Sequence, residues 1–290
     1  MPDIARPLLQ QLAQFAPATV ATANGVVYYR SACSPGVDGP VTHVLLHGIG
    51  SASGSWLAQL AQARSHRSGD CHVLAWDAPG YGGSTALPME TPRASDYAHQ
   101  LWSWLDAVAA DCTQPVTLVG HSLGALMAAA AAVQRPARVR RLVLLSPAQG
   151  YAGASAALRE QKLSERLANL AQFGPAGMAA RRASAMLSPH ASAEQIAFVQ
   201  QVMAGIEPHG YAQAARMLST GDVAVDLMRL QQPVTIASGA ADTITPAPAC
   251  RALASQVGAT YLSLGDVGHS CALEAGAQVN ALLGIGGVPA

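Results

Sequence analysis

A serine between two glycines, near the middle of the chain, offers the clearest sign of chemistry. Ser122 lies in the pentapeptide GHSLG at residues 120–124, after an apolar run at 116–119 and before an Ala-rich stretch of helical spacing. A G-x-S-x-G turn between strand and helix needs glycines because side chains would clash in so tight a bend. The bend exposes the serine Oγ beside a helix N-terminus, which favours developing negative charge. This context predicts a nucleophilic serine, with an ordinary structural turn as the alternative.

A serine hydroxyl is a weak nucleophile unless a neighbouring base removes its proton. Where the serine occupies such a turn, an acid and then a histidine follow along the chain, each after a later strand. Asp242 follows the apolar run 234–238, and His269 follows the run 259–264. Residues 147–150, after the run 141–146, contain no carboxylate. We therefore predict a catalytic triad of Ser122, His269 and Asp242.

Acyl transfer also needs hydrogen-bond donors for the oxyanion, and losing one such donor costs about 2.7–4 kcal/mol of transition-state stabilisation. The main-chain N–H of Leu123, directly after the serine, is one predicted donor. The other should come from the loop after the run 42–47, where we choose Ile49, with Gly50 as the alternative. We expect His47 to brace this loop and take no part in the reaction.

Short apolar runs alternate with longer stretches of helical spacing along most of the chain. The predicted strands are residues 26–29, 42–47, 71–76, 116–120, 141–146, 234–238 and 259–264. The predicted helices are residues 55–63, 95–110, 123–134, 248–257 and 272–283. Runs that are apolar on both faces suit central strands covered by helices on two sides. The alternation predicts an α/β fold with a mostly parallel central sheet flanked by helices.

The alternation stops once, between residues 147 and 232. This segment has no convincing strand and is rich in Ala, Met and Arg, with breaks at Gly174-Pro175, Ser188-Pro189 and Glu207-Pro208. We predict a core formed by residues 1–146 and 233–290, and a helical cap, or lid, formed by residues 147–232. An ordinary second helical domain is the alternative.

The composition limits the partners. Half of the residues are hydrophobic, and 17 Lys plus Arg balance 17 Asp plus Glu. This composition excludes a disordered chain, and a net charge of zero gives no field that would attract nucleic acid or an acidic membrane. The longest apolar run, residues 125–133, is about half as long as the roughly 18 residues of a membrane-spanning helix. Residues 1–7 lack the pattern of a signal peptide, so we expect a cytoplasmic protein of undetermined oligomeric state.

No cofactor or metal is predicted. The five cysteines are scattered and form no C-x-x-C pair, so neither a disulfide framework nor a thiolate metal site is indicated. His43 and His47 lie four residues apart on a predicted strand with no further ligand nearby, which disfavours zinc. The glycines at 48, 50 and 54 miss the dinucleotide-binding spacing by one residue.

Several of these motifs together resemble the α/β-hydrolase superfamily, over about residues 26–283. The motifs are HGIG at 47–50, DAPGYGGS at 77–84, GHSLG at 120–124, Asp242, and Gly268 with His269. Within the superfamily, the sequences around Asp242 and His269 and the Gly210-Tyr211 pair resemble the 3-oxoadipate enol-lactonase group. The meta-cleavage-product hydrolases, which cleave carbon–carbon bonds in ring-cleavage products of aromatic catabolism, are a neighbouring group with the same triad.

This resemblance implies a serine hydrolase acting on a small carboxylic ester or enol-lactone. An enol-lactone substrate would carry carboxylates, for which Arg181 and Arg182 in the cap are candidate partners. Gly50 and His121, which adjoin the predicted site, are further candidate substrate contacts. The alternatives are a carbon–carbon bond hydrolase and a non-catalytic ligand receptor on the same fold.

Overall fold

A sheet of eight strands passes through the described part of the chain, which comprises residues 6–34, 39–65, 71–110 and 114–285 of a computed structural model. The strands are β1 (Ala18–Thr22), β2 (Gly25–Cys33), β3 (His43–Leu46), β4 (His72–Trp76), β5 (Val116–His121), β6 (Val139–Leu145), β7 (Val234–Ser238) and β8 (Thr260–Ser263). Their order across the sheet is β1-β2-β4-β3-β5-β6-β7-β8. All pairs are parallel except β1 with β2 and β2 with β4. The predicted mostly parallel sheet is therefore confirmed.

The central strands are covered on both faces, as their apolar sequences predict. In β6, Leu142 and Leu144 pack into one hydrophobic cluster, whereas Val143 and Leu145 pack into another. Successive side chains of a strand point to opposite faces, so the two clusters are the two helix-covered sides of the sheet. All four of these side chains are fully buried.

Eleven α-helices are found in the described residues. They are α1 (Arg6–Ala13), α2 (Leu57–Ser65), α3 (Ala94–Val108), α4 (Gly124–Gln134), α5 (Ala156–Arg182), α6 (Ala193–Ala204), α7 (Pro208–Thr220), α8 (Val223–Leu227), α9 (Ala247–Val257), α10 (Cys271–Glu274) and α11 (Gly276–Leu283). The predicted helix at 272–283 is divided in two at Ala275, which has φ −109° and ψ 38°. None of the described helices is long and apolar enough to cross a membrane.

Helices α5 to α8 lie between β6 and β7, and residues 147–232, which contain them, are called the helical insertion below. Within the described residues of this segment there is no strand. Helix α5 is kinked at Gly174, whose φ of 59° is not helical, so the sequence break at Gly174-Pro175 corresponds to a change of direction. The described structure therefore has one long helical segment between β6 and β7, two strands that pair in the sheet.

Many contacts join the helical insertion to the core, two of them at Gly210 and at Ser188. Near Gly210 on α7 the main chain touches that of Gly80, and a Cβ on Gly210 would lie 1.9 Å from the Gly80 carbonyl oxygen. At the other place the Glu274 carboxylate accepts hydrogen bonds from the main-chain N–H groups of Ser188, at 3.0 Å, and Gly268, at 2.8 Å. Because Gly268 precedes His269, the insertion is joined directly to the loop that carries this histidine.

Candidate active site

Ser122 lies at a strained bend between β5 and α4. Its φ is 51°, a left-handed conformation that is uncommon for residues other than glycine. A Cβ on Gly120 would lie 2.5 Å from the carbonyl oxygen of Gly124, and one on Gly124 would lie 2.2 Å from that of Leu46. Both flanking positions therefore require glycine. Strain of this kind, fixed by the surrounding structure, is characteristic of functional sites.

The loop after β3 lies against Ser122. A Cβ on Gly48 would be 2.9 Å from the Cβ of Ser122, so no larger residue fits between the loop and the serine. Within the described residues, the main-chain N–H groups of Ile49 and Leu123 donate to no protein group. Gly50 has a φ of 72° and, like Ile49, lines the cavities beside Ser122. Free N–H groups near a serine Oγ are what an oxyanion needs.

His47 connects this loop to the loop after β4. The main-chain N–H of Ala78 donates to His47 Nε2 at 3.0 Å, so the other ring nitrogen, Nδ1, carries the proton and donates to the Gly48 carbonyl oxygen at 2.9 Å. Burial lowers the pKa of His47, which favours this neutral form. The side chain therefore braces the loop, as its sequence position predicts.

Asp242 and His269 form a buried pair at the ends of β7 and β8. The Nδ1 of His269 donates to Oδ2 of Asp242 at 2.9 Å, and the two side chains are 1% and 0% exposed. The other carboxylate oxygen, Oδ1, accepts from the N–H groups of Ile244, at 2.8 Å, and Thr245, at 2.9 Å. Burial alone would raise the pKa of Asp242, but the hydrogen bonds from His269 and Thr245 hold it well below its usual value. Asp242 is thus a carboxylate that orients the imidazole.

His121 supports the same histidine from the side of the serine. Its Nε2–H donates to the main-chain carbonyl oxygen of His269 at 2.7 Å, and the two rings are 4.8 Å apart. Burial, together with the nearby His269, lowers the pKa of His121 to about 3, so its imidazole is neutral. The sequence indicated His121 only as a candidate substrate contact, and its bond to His269 could not be predicted from the chain.

Two cavities meet at Ser122 and His269. Ser122, His269, Ile49 and Gly50 line both of them. The smaller cavity, with a volume of about 40 Å³, is otherwise walled mainly by apolar side chains: Trp56, Phe198, Val199, Val202 and Leu273. The larger cavity has a volume of about 240 Å³ and lies beneath the helical insertion. A reacting group at Ser122 can therefore extend a small apolar part to one side and a larger part to the other.

The larger cavity is positively charged. Arg166 and Arg182, both on α5, line it, and none of the described residues that line it is an acid. Within the described residues neither guanidinium forms a salt bridge. Arg181, the other arginine singled out in the sequence, lies over the Phe173 ring at 3.9 Å and does not line either described cavity. Arg166 was not predicted, because nothing in the sequence around it distinguishes it from the other arginines of residues 147–232.

No metal site is evident among the described residues, since none of their His, Cys, Asp and Glu side chains form a group of three or more suited to a metal ion. The described cysteines, Cys33, Cys71, Cys250 and Cys271, are free thiols. Cys112 and residues 1–5 of the N-terminal segment discussed above lie outside the described residues.

The relatives that match parts of the chain include two hydrolases. An (E)-2-((N-methylformamido)methylene)succinate hydrolase of Acinetobacter baylyi is 33% identical over 103 residues, 36% of this chain and 36% of that protein. A 2-hydroxy-6-oxononadienedioate/2-hydroxy-6-oxononatrienedioate hydrolase of Dechloromonas aromatica is 30% identical over 118 residues, 41% of this chain and 39% of that protein. The matched segments thus span less than two fifths of the length of these relatives.

Two solved structures agree over nearly the whole chain. A thermophilic esterase from Thermogutta terrifontis has a TM-score of 0.78 at 20% identity, covering 92% of this chain and 96% of that one. An enol-lactonase from Burkholderia xenovorans has a TM-score of 0.75 at 20% identity, covering 92% and 97%. At 20% identity, this structural similarity shows that the fold is shared and no more. The family model of the alpha/beta hydrolase family matches residues 44–282, and with this match and this fold the chain belongs to the alpha/beta hydrolase family.

Proposed function

We propose that this protein hydrolyses a small carboxylic ester or enol-lactone through an acyl-enzyme on Ser122. One observation carries the proposal. Ser122 and His269 line the same cavities, and the Nδ1 of His269 is hydrogen-bonded to the buried Asp242 carboxylate at 2.9 Å. A nucleophile, a base and an orienting acid in this relationship make up the machinery of acyl transfer.

In the proposed reaction, Ser122 Oγ attacks the carbonyl carbon while His269 Nε2 takes the hydroxyl proton. The main-chain N–H groups of Leu123 and Ile49 stabilise the oxyanion. His269 then gives the proton to the leaving oxygen as its bond to carbon breaks, and Asp242 stabilises the transient imidazolium. Water repeats the steps on the acyl-enzyme: His269 takes a proton from the water, and the proton returns to Ser122 as the acid product leaves.

We assign the helical insertion, residues 147–232, the role of a cap that selects the substrate. The smaller cavity suits a short uncharged group, and the larger one suits a group that carries a carboxylate between Arg166 and Arg182. Arginine binds carboxylates with paired hydrogen bonds, which makes such a cavity selective for anions. The succinate hydrolase and the nonadienedioate hydrolase named above are, by their names, also hydrolases of dicarboxylates.

A carbon–carbon bond hydrolase is the second candidate, favoured by the similarity to the Dechloromonas enzyme. Both reactions use a serine hydrolase site, so the substrate decides between them. A panel of enol-lactones, short aryl esters and ring-cleavage dienes, each with and without a carboxylate, tests the proposal. We expect turnover of carboxylated esters or lactones, and turnover of the dienes alone would favour the second candidate.

Labelling by a fluorophosphonate separates either enzyme from a non-catalytic receptor. A fluorophosphonate reacts with an activated serine, so we expect one covalent adduct on Ser122, located by mass spectrometry of its peptide. Folded protein that takes up no label and turns over no substrate would favour the receptor.

A further inference from the structure

The Thr245 hydroxyl lies between the two members of the buried acid–base pair. Its Oγ1 is 2.9 Å from Oδ2 of Asp242 and 3.2 Å from Nδ1 of His269. These are the two atoms that share the hydrogen bond of the pair, so the hydroxyl contacts both ends of that bond. Thr245 also lines the larger cavity and is half-buried.

A third contact gives the hydroxyl a second possible acceptor for its hydrogen. Oγ1 is 3.1 Å from the main-chain carbonyl oxygen of Ser146, a residue held at a φ of 46° after β6. A hydroxyl has one hydrogen to donate, so Asp242 and Ser146 compete for it. The bond to Asp242 is the shorter, and bonds to an ionised acceptor are about twice as strong as those to a neutral one. The Thr245 hydroxyl therefore donates its hydrogen to the Asp242 carboxylate.

We propose that Thr245 is a positioning residue that donates its hydroxyl hydrogen to Oδ2 of Asp242 and so weakens the hold of the carboxylate on protonated His269. The catalytic role of Thr245 rests on the proposed function, whereas its contacts with Asp242 and His269 do not. A donor on Oδ2 withdraws negative charge from the atom that faces His269 Nδ1. Less negative charge there makes the imidazolium form of His269 less stable, which keeps the imidazole free to act as a base at lower pH.

The other titratable groups around His269 do not obscure this effect. His121 packs against the ring and is a neutral imidazole, with a pKa lowered to about 3 by burial. Burial raises the pKa of Cys250 to about 11 and that of Cys271 to about 12, so both are neutral thiols. Glu274 binds the N–H of Gly268, next to His269.

Arg166 and Arg182 lie across the larger cavity from the hydroxyl. The ionisable atoms in contact with the hydroxyl are those of the pair itself, Oδ2 of Asp242 at 2.9 Å and Nδ1 of His269 at 3.2 Å.

The test compares Thr245→Val, which replaces the hydroxyl with a methyl group of similar shape, with Thr245→Ser, which keeps a hydroxyl. The protonation midpoint of His269 is followed by NMR in protein labelled with ¹³C-histidine, and its signal is assigned by its loss in His269→Gln. We expect the midpoint of Thr245→Val to rise by about half a pH unit, a roughly threefold change in proton affinity, and Thr245→Ser to restore it. The acid limb of kcat/KM should move by the same amount.

An unchanged midpoint, or one that falls, would overturn the proposal. A fall would mean that the hydroxyl donates to Ser146 and accepts from His269. Thr245→Ala serves as a second deletion if Thr245→Val fails to fold. The NMR midpoint needs no substrate, so a raised midpoint in a protein that shows no labelling on Ser122 would reject the proposed function and leave this inference intact.

Discussion

His121, the residue before the nucleophile, donates its Nε2–H to the main-chain carbonyl oxygen of His269 across 2.7 Å. The turn that carries the serine is thereby tied to the loop that carries the base. The bond joins segments 148 residues apart in sequence, and the two imidazole rings pack beside it with their centroids 4.8 Å apart. The relationship predicts that His121, which also lines the smaller cavity, contributes to the reaction rate through the position of His269.

Replacing His121 tests this role. In His121→Phe the ring remains but the carbonyl oxygen of His269 loses its buried donor, which costs about 1–3 kcal/mol of stability. We expect the urea midpoint to fall accordingly and kcat to drop by about tenfold or more, with KM nearly unchanged. Urea denaturation and steady-state kinetics measure the two effects. A variant that is less stable but has the kcat of the wild type would show that the bond serves the fold alone.

Buried neutral histidines predict a loss of stability in acid. Burial lowers the pKa of His43 to about 4, whereas a histidine in the unfolded chain has a pKa near 6.5. Between these values the unfolded state binds the proton and the folded state does not, so the free energy of unfolding decreases as the pH falls through this window. One such histidine contributes up to about 1.4 kcal/mol per pH unit to the slope of the free energy of unfolding against pH.

His43→Gln isolates that contribution. His43 is the first residue of β3 and donates its Nε2–H to the Leu283 carbonyl oxygen at the end of α11, whereas the candidate catalytic loops follow the carboxyl ends of their strands. Urea titrations at pH 6.0, 5.5 and 5.0 should give a slope in this variant that is smaller than that of the wild type by about 1.4 kcal/mol per pH unit. Equal slopes in the two proteins would contradict a buried, neutral His43.

The two arginines of the larger cavity predict discrimination between charged and neutral substrates. Arg166→Gln and Arg182→Gln each remove a charge from the cavity wall, and a hydrogen bond to a charged group is worth about 1.5–3 kcal/mol. For a carboxylated ester we expect kcat/KM to fall at least about tenfold, and for the matched neutral ester by less than about threefold. Arg181→Gln is the control, because Arg181 lies on Phe173. Equal losses on both esters would reject the anion site.

The contact between Gly80 and Gly210 predicts a strict size limit where α7 meets the core. In Gly210→Ala the new methyl group would lie 1.9 Å from the Gly80 carbonyl oxygen, so α7 must move away. Overpacking of this kind costs about 1–3 kcal/mol, and we expect a lower melting temperature together with a raised KM. Gly205→Ala is the matched control in the same insertion, since its Cβ would meet no atom within 3.6 Å. Equal behaviour of the two variants would show that the contact does not position the insertion.

The sheet could be predicted from the sequence because buried parallel strands are short apolar runs. The predicted strand 234–238 matches β7, Val234–Ser238, and the other predicted strands overlap observed ones. Strand β1, Ala18–Thr22, was missed because it is a largely exposed edge strand without an apolar run. Helix α1, Arg6–Ala13, was missed as well. Elements at the edge of a fold have weaker hydrophobic patterns than the buried central strands.

The candidate triad could be placed by its order along the chain, because each predicted residue follows a strand. The supporting groups could not. His121 contacts the His269 carbonyl oxygen across 148 residues of sequence, and the Thr245 hydroxyl contacts the His269 ring across 24 residues. No hydrophobic pattern in the sequence relates residues at these separations, and threonine is common in turns for structural reasons alone. Such contacts are determined only when the sheet brings the strand ends together.

The most direct test of the central claim is the rate of Ser122→Ala on whichever ester or lactone of the panel the wild type hydrolyses fastest. Removing Oγ removes the acyl-enzyme, so kcat should fall at least about 10⁴-fold while circular dichroism and the urea midpoint stay close to those of the wild type. A folded Ser122→Ala that keeps a tenth or more of the activity would contradict nucleophilic catalysis by this serine.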